Sequence, residues 1–156
     1  MLEIDIPGFG AVKLRNLVSD FTGTLSLNGG LIPGVKEQLN ELAGSLTVHV
    51  LTSDTFGTAT SELKDVKCET LVLTGEYHDV QKEEYLEKLG ASSVVAFGNG
   101  NNDRKMLRAA RIGIAVTESE GCAVDILMAA DIHVTSINSG LDLLLNLKRL
   151  KATLRY

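Results

Sequence analysis

No apolar run in this 156-residue chain approaches the ~20 residues needed to cross a bilayer. Basic residues carry no surplus: 15 Lys and Arg stand against 20 Asp and Glu, for a net charge of −5. That balance argues against a nucleic-acid backbone as main partner. The basic cluster at the end (Lys148, Arg149, Lys151, Arg155) reads as the solvated side of a last helix. Cysteine is scarce. Cys68 and Cys122 are far apart with no CxxC partner, so buried thiols in a reducing cytoplasm are expected, not a disulfide or a zinc site. His49, His78 and His133 lack ligand-spaced partners. Low-complexity segments and internal repeats are absent. The opening Met-Leu-Glu-Ile-Asp-Ile is acidic and alternating, unlike a signal peptide. A cytoplasmic protein with neither membrane nor nucleic acid as partner is expected.

What is present fits one globular domain over residues 1–156, with 44% hydrophobic and 22% charged residues. A chain of this size buries roughly 68–70% of its unfolded surface. Residues 2–15 alternate around Pro7-Gly8-Phe9-Gly10, which predicts a β-hairpin. A first core strand follows at about 16–20, and Asn28-Gly29 centres a second small hairpin over 25–32. Pro33 opens a helix to about Ala43, closed by Gly44. Strands at 46–51, 70–73, 93–97, 112–116 and 132–134 then alternate with helices near 55–64 and 79–89, one carrying Met106, Leu107 and Ala110, and others at 121–130 and 139–150. This alternation predicts an α/β fold: a Rossmann-like, doubly wound parallel sheet between two helical layers.

The chemistry gathers at the strand ends. Val18-Ser19-Asp20-Phe21-Thr22-Gly23-Thr24-Leu25 is an apolar strand running into a carboxylate, a hydroxyl and a glycine. In open α/β sheets ligands bind outside the carboxyl ends of the strands. Thr52 ends the second core strand, Asn99 and Asp103 follow the fourth, and Lys82 precedes it.

The order Asp20-x-Thr22-Gly23-Thr24-Leu25 resembles motif I of the haloacid dehalogenase-like superfamily, and with Thr52, Lys82 and Asn99/Asp103 all four of its motifs stand in order. The likeness extends over Ala109–Val116 and Ala129–Ile132, and most resembles the phosphorylation domain of P-type ATPases. The resemblance implies a Mg2+-dependent phosphatase or phosphotransferase acting on a phosphorylated substrate, small molecule rather than protein. Asp20 would be the nucleophile, forming an aspartyl phosphate. Lys82 would neutralise charge and Thr52 would donate to a phosphoryl oxygen. Phe21, Thr22 and Gly23 would offer backbone amides, with Ser53 beside them. Asp20, the Thr22 carbonyl, Asn99 and Asp103 would hold the metal.

Two departures stand out. Thr22 occupies the place of the family's usual acid/base Asp, which predicts slow hydrolysis. Asn99 occupies the place of an Asp that normally ligates Mg2+. The gaps after Asp20 and between Thr52 and Lys82 are too short for a cap domain. Capless relatives often oligomerise, so a homo-oligomer through the 2–15 and 25–32 hairpins is expected. Three alternatives stay open. Lys82 could be a solvated helix residue. Thr52 could be a strand-end hydroxyl tied to backbone. Ser53 and Asp54 could simply cap the next helix. A catalytically weak relative that binds a phosphorylated ligand or protein is the rival reading. A receiver-like domain ranks below it, because Leu73-Thr74-Gly75 carries no Asp.

Overall fold

The computed structural model describes residues 1–54 and 57–156. In chain order these form β1 (Leu2–Ile6), β2 (Gly10–Leu14), β3 (Asn16–Asp20), β4 (Ser26–Leu27), β5 (Gly30–Leu31), α1 (Val35–Leu42) and β6 (Thr47–Thr52). There follow α2 (Thr58–Glu62), β7 (Glu69–Val72), α3 (His78–Leu89), β8 (Val94–Gly98), α4 (Arg104–Ala109) and β9 (Ile112–Val116). The chain ends with α5 (Val124–Leu127), β10 (Ile132–Val134), α6 (Ile137–Leu145) and α7 (Leu147–Leu154). Among the described residues, six strands make one parallel sheet in the order β10-β9-β8-β3-β6-β7. The Asp20 strand β3 therefore lies at its centre, next to β6 and β8.

Strand alternation builds the two layers. Leu17, Val50, Phe97 and Ile114 join the cluster shared with the hairpin, α1, α6 and α7, while Val18, Leu51, Ala96 and Ala115 join Leu86, Met106 and Ile126 on the opposite face. Side chains two apart in a strand share a face. Asp20, two past Val18, therefore points to the face covered by α3. On α3, Lys82 and Leu86 are four apart and both buried. The helix thus turns one stripe toward the sheet and carries an ammonium down to the strand end.

Both hairpins form where expected. Asn28 and Gly29 take φ of 51° and 82°, the left-handed pair that a two-residue primed turn requires. The expected 139–150 helix is broken at Asn146 (φ −131°, ψ 81°) into α6 and α7. Apolar residues continue across the break (Leu141, Leu144, Leu147, Leu150), which makes the sequence read as one helix. The 121–130 helix shrinks to α5, because Ala123 is held extended by a hydrogen bond from its amide to the Asn99 carbonyl (2.8 Å). The 55–64 helix begins at Thr58, after a left-handed Gly57; Thr55 and Phe56 lie outside the described residues. Between β6 and β8 the described chain adds only α2, β7 and α3, and between β3 and α1 only the small hairpin. Neither insertion is a cap domain.

Candidate active site

The site is built at the carboxyl ends of β3, β6 and β8. Register pairs Asp20 with Leu51, so Thr52 stands one step beyond it on the neighbouring strand. On the other side Ser19 pairs with Phe97, which brings Gly98 and Asn99 alongside. Gly98 carries no side chain where Asp103 folds back: a Cβ there would sit 2.5 Å from the Asp103 Cβ.

Asp20 is 8% exposed, Lys82 2% and Asp103 0%. The Lys82 Nζ donates to Asp20 Oδ1 (2.8 Å), Asp103 Oδ1 (2.7 Å) and Asn102 Oδ1 (3.3 Å). Lys82 is therefore not the solvated helix residue of the first alternative. The second Asp103 oxygen accepts the amides of Asn99 and Gly100, both at 3.0 Å. One ammonium faces two carboxylates. Burial, then the Asp103 charge, push Asp20 up to about 7, against the pull of Lys82 and Thr24. Burial opposes the Lys82 charge, but Asp20 and Asp103 beside it hold its pKa above the usual lysine value.

The turn after Asp20 is pinned by one acceptor. The Phe21 carbonyl takes the amides of Thr24, Leu25 and Ser26 and the Ser26 hydroxyl. Thr22 and Ser26 form a parallel bridge through the groups flanking Thr22. The Gly23 amide is spent on the Ser26 carbonyl (3.2 Å), which leaves the Thr22 N–H and C=O facing away from the turn. Gly23 (φ 76°) was expected as an amide donor to a ligand; its observed role is to bend the chain and make room for Asn99.

Thr24 carries no expected role in the sequence reading, yet it is fully buried. Its hydroxyl lies 3.1 Å from Asn99 Oδ1 and 3.4 Å from Asp20 Oδ2. The signal for it was present: a second hydroxyl four residues after the aspartate, inside a tight turn. Thr52 is 1% exposed, and its Oγ1 accepts the Asp54 amide (3.1 Å). That bond fits the strand-end alternative and leaves the hydroxyl proton available for donation. Asp54 Oδ2 accepts the Ala59 amide (2.6 Å), so it ties down the start of α2. Thr22 and Ser53 are exposed and share a cleft of about 380 Å3 with Phe21, Asn28, Gly29, Asp54 and Thr58. His49 is packed, as expected: Nδ1 meets the Tyr85 hydroxyl (2.9 Å) and Nε2 meets Asn16 Oδ1 (3.1 Å).

Beside the Lys82 ammonium, which has no lone pair to give a metal, the groups nearest Asp20 offer oxygens. Asp20 Oδ2 and Asn99 Oδ1 converge on the one Thr24 hydroxyl, which fits a hard, oxygen-preferring cation. No group of three or more His, Cys, Asp or Glu with metal-holding geometry occurs among the described residues. Both Asp103 oxygens are engaged by protein donors.

A family model described as haloacid dehalogenase-like hydrolase matches residues 77–139. The fold agrees with that match along nearly the whole chain. A 3-deoxy-D-manno-octulosonate 8-phosphate phosphatase from Moraxella catarrhalis, solved with magnesium, phosphate and its sugar acid, covers 91% of this chain and 94% of its own at TM-score 0.70 and 18% identity. Residues 77–139 thus match the haloacid dehalogenase-like hydrolases, and the chain as a whole has their fold. A phosphoserine phosphatase solved as a phospho-aspartyl intermediate analogue covers 83% of this chain and 98% of its own, at TM-score 0.66 and 18% identity. An uncharacterised protein of Methanocaldococcus jannaschii is 45% identical over 73 residues, which is 47% of this chain and 78% of that protein. A probable copper-transporting ATPase of Arabidopsis thaliana is 30% identical over 128 residues. That match takes in 80% of this chain but 12% of the ATPase, in line with the resemblance to a phosphorylation domain. No described helix is long and apolar enough to cross a membrane.

Proposed function

We propose that this chain is a Mg2+-dependent phosphohydrolase or phosphotransferase that passes through an aspartyl phosphate on Asp20. The observation that carries the reading is the buried Asp20–Lys82–Asp103 cluster at the carboxyl end of the central strand. Burying such charges is costly unless they serve a purpose beyond stability. Asp20 Oδ2, the Thr22 carbonyl and Asn99 Oδ1 would hold the cation directly. Asp103, with both oxygens taken, would act through water and by fixing the Asn99–Gly100 backbone. A bound Mg2+ offsets part of the phosphoryl charge.

Asp20 attacks phosphorus through the carboxylate oxygen not held by the metal. An Asp–O–P bond forms as the ester P–O bond breaks, and the leaving oxygen collects a proton from water. Lys82 offsets charge on Asp20 and the transferring group as a point charge. The Phe21 and Thr22 amides and the Thr52 hydroxyl would donate to phosphoryl oxygens, and Ser53 would line the leaving-group side. Water then cleaves the aspartyl phosphate. Thr22 cannot take that proton near neutral pH, so this step forgoes the ~10²–10⁴-fold that a general base supplies.

The substrate would be a small phosphorylated molecule reaching the open 380 Å3 cleft. The unpaired Cys68 and Cys122 suit the reducing cytoplasm. One domain over 1–156 would work as a homo-oligomer whose neighbour, meeting the two hairpins, shields the site. A second reading, a weak enzyme that mainly binds a phosphorylated ligand or protein partner, is favoured by the neutral Asn99 at a ligand position. Phosphate release from p-nitrophenyl phosphate tests the choice. Release that needs Mg2+, stops with chelator and is absent in Asp20→Asn supports the enzyme. Equal release from wild type and Asp20→Asn would contradict it.

A further inference from the structure

Asn99 touches two neighbouring loops at once. Its Nδ2 donates to the Gly121 carbonyl (3.1 Å), its Oδ1 lies 3.1 Å from the Thr24 hydroxyl, and its own carbonyl accepts the Ala123 amide (2.8 Å). The orientation of the amide is set by chemistry: the Gly121 carbonyl can only accept, so the atom facing it must be the nitrogen. Gly23 leaves room for that nitrogen; a Cβ at Gly23 would sit 2.5 Å from it. Gly121 presents its carbonyl from a left-handed turn (φ 86°) closed by its own amide on the Glu118 carbonyl (2.9 Å).

We propose that Asn99 is a positioning residue whose amide clasps the 117–123 loop to the Asp20 turn, and that a carboxylate at 99 cannot replace it. A carboxylate has no donor for the Gly121 carbonyl and would place two acceptors face to face. The amide is therefore a requirement of this loop arrangement, not merely a metal ligand short of one charge. The clasp itself needs no activity. Its functional consequence rests on the reading given under Proposed function.

The test is amide hydrogen exchange on metal-free protein, comparing wild type with Asn99→Asp and Asn99→Ser. Serine adds no charge and is too short to reach Gly121. The reporter is the Ala123 amide, whose acceptor is backbone and survives both substitutions; the Leu141 amide in α6 reports global stability. The clasp predicts Ala123 exchange faster by about fivefold in Asn99→Ser and about tenfold in Asn99→Asp, relative to Leu141. Unchanged Ala123 protection overturns the proposal, and if Asn99→Asp fails to fold, Asn99→Ser decides alone. At saturating Mg2+, phosphorylation of Asn99→Asp by acetyl phosphate should also have a lower maximal rate than wild type. A higher rate would overturn the proposal too. If no protein is phosphorylated, the catalytic reading fails while the exchange result still judges the clasp.

Discussion

The floor and the rim of the site are built in opposite ways. On the floor, Asp20, Thr24, Lys82 and Asp103 are buried; Lys82 ties to Asp20 across 62 residues of chain and to Asp103 across 21, and Thr24 reaches Asp20 and, 75 residues on, Asn99. On the rim, Thr22, Asn28, Ser53 and Thr58 are exposed, carried by the turns after β3 and β6, the two-residue hairpin tip and the short α2. The floor holds uncompensated charge in a packed setting; the rim holds neutral polar groups and Asp54 in water's reach. Under the proposed function, chemistry and substrate choice would therefore be separable. The floor can be fixed while the rim varies.

The largest way to break that contrast is Lys82→Met. It leaves Asp20 and Asp103 buried without their shared cation and should cost about 3–5 kcal/mol in urea unfolding at pH 7.5. A cost near zero would mean the floor is no more constrained than the rim.

Asp20→Asn should act the other way in metal-free protein. The folded pKa of Asp20, about 7, lies above the ordinary aspartate value of 3.8. The folded state therefore holds this proton more tightly. Its contribution is full below about pH 4 and is lost as pH rises toward 7. Relative to wild type, Asp20→Asn should gain on the order of 4 kcal/mol between pH 4 and 8. A flat difference between the two proteins across that range would show that Asp20 is not strained by its neighbours.

Thr24→Val removes a buried donor from both Asn99 and Asp20 and should cost about 1–2 kcal/mol. Ser53→Ala on the rim should change stability by no more than about 0.5 kcal/mol. Its effect should appear in KM across a panel of phosphate esters. A stability loss at Ser53 equal to that at Thr24 would erase the distinction.

The floor was largely legible because each part ends a strand whose apolar pattern is clear. Val18 fixes which face Asp20 takes, and Leu86 fixes the buried stripe that Lys82 shares. Thr24 was missed because its partners include a residue 75 positions away, a distance that no local pattern spans. The Asn99–Gly121 bond is hidden for the same reason, as is the Ala123 amide's bond to the Asn99 carbonyl, which shortens the helix that the pattern predicts over 121–130. The rim was legible only as a turn. Asn28-Gly29 demands a hairpin, but nothing in it names the ligand that the hairpin would face.

The most direct test of the account is an intact mass after incubation with Mg2+ and acetyl phosphate and an acid quench. The account predicts a phosphate-sized adduct on wild type, none on Asp20→Asn, and slow decay because Thr22 offers no base. Folded, metal-saturated wild type without adduct or phosphate release, or an adduct of equal size on Asp20→Asn, would contradict it.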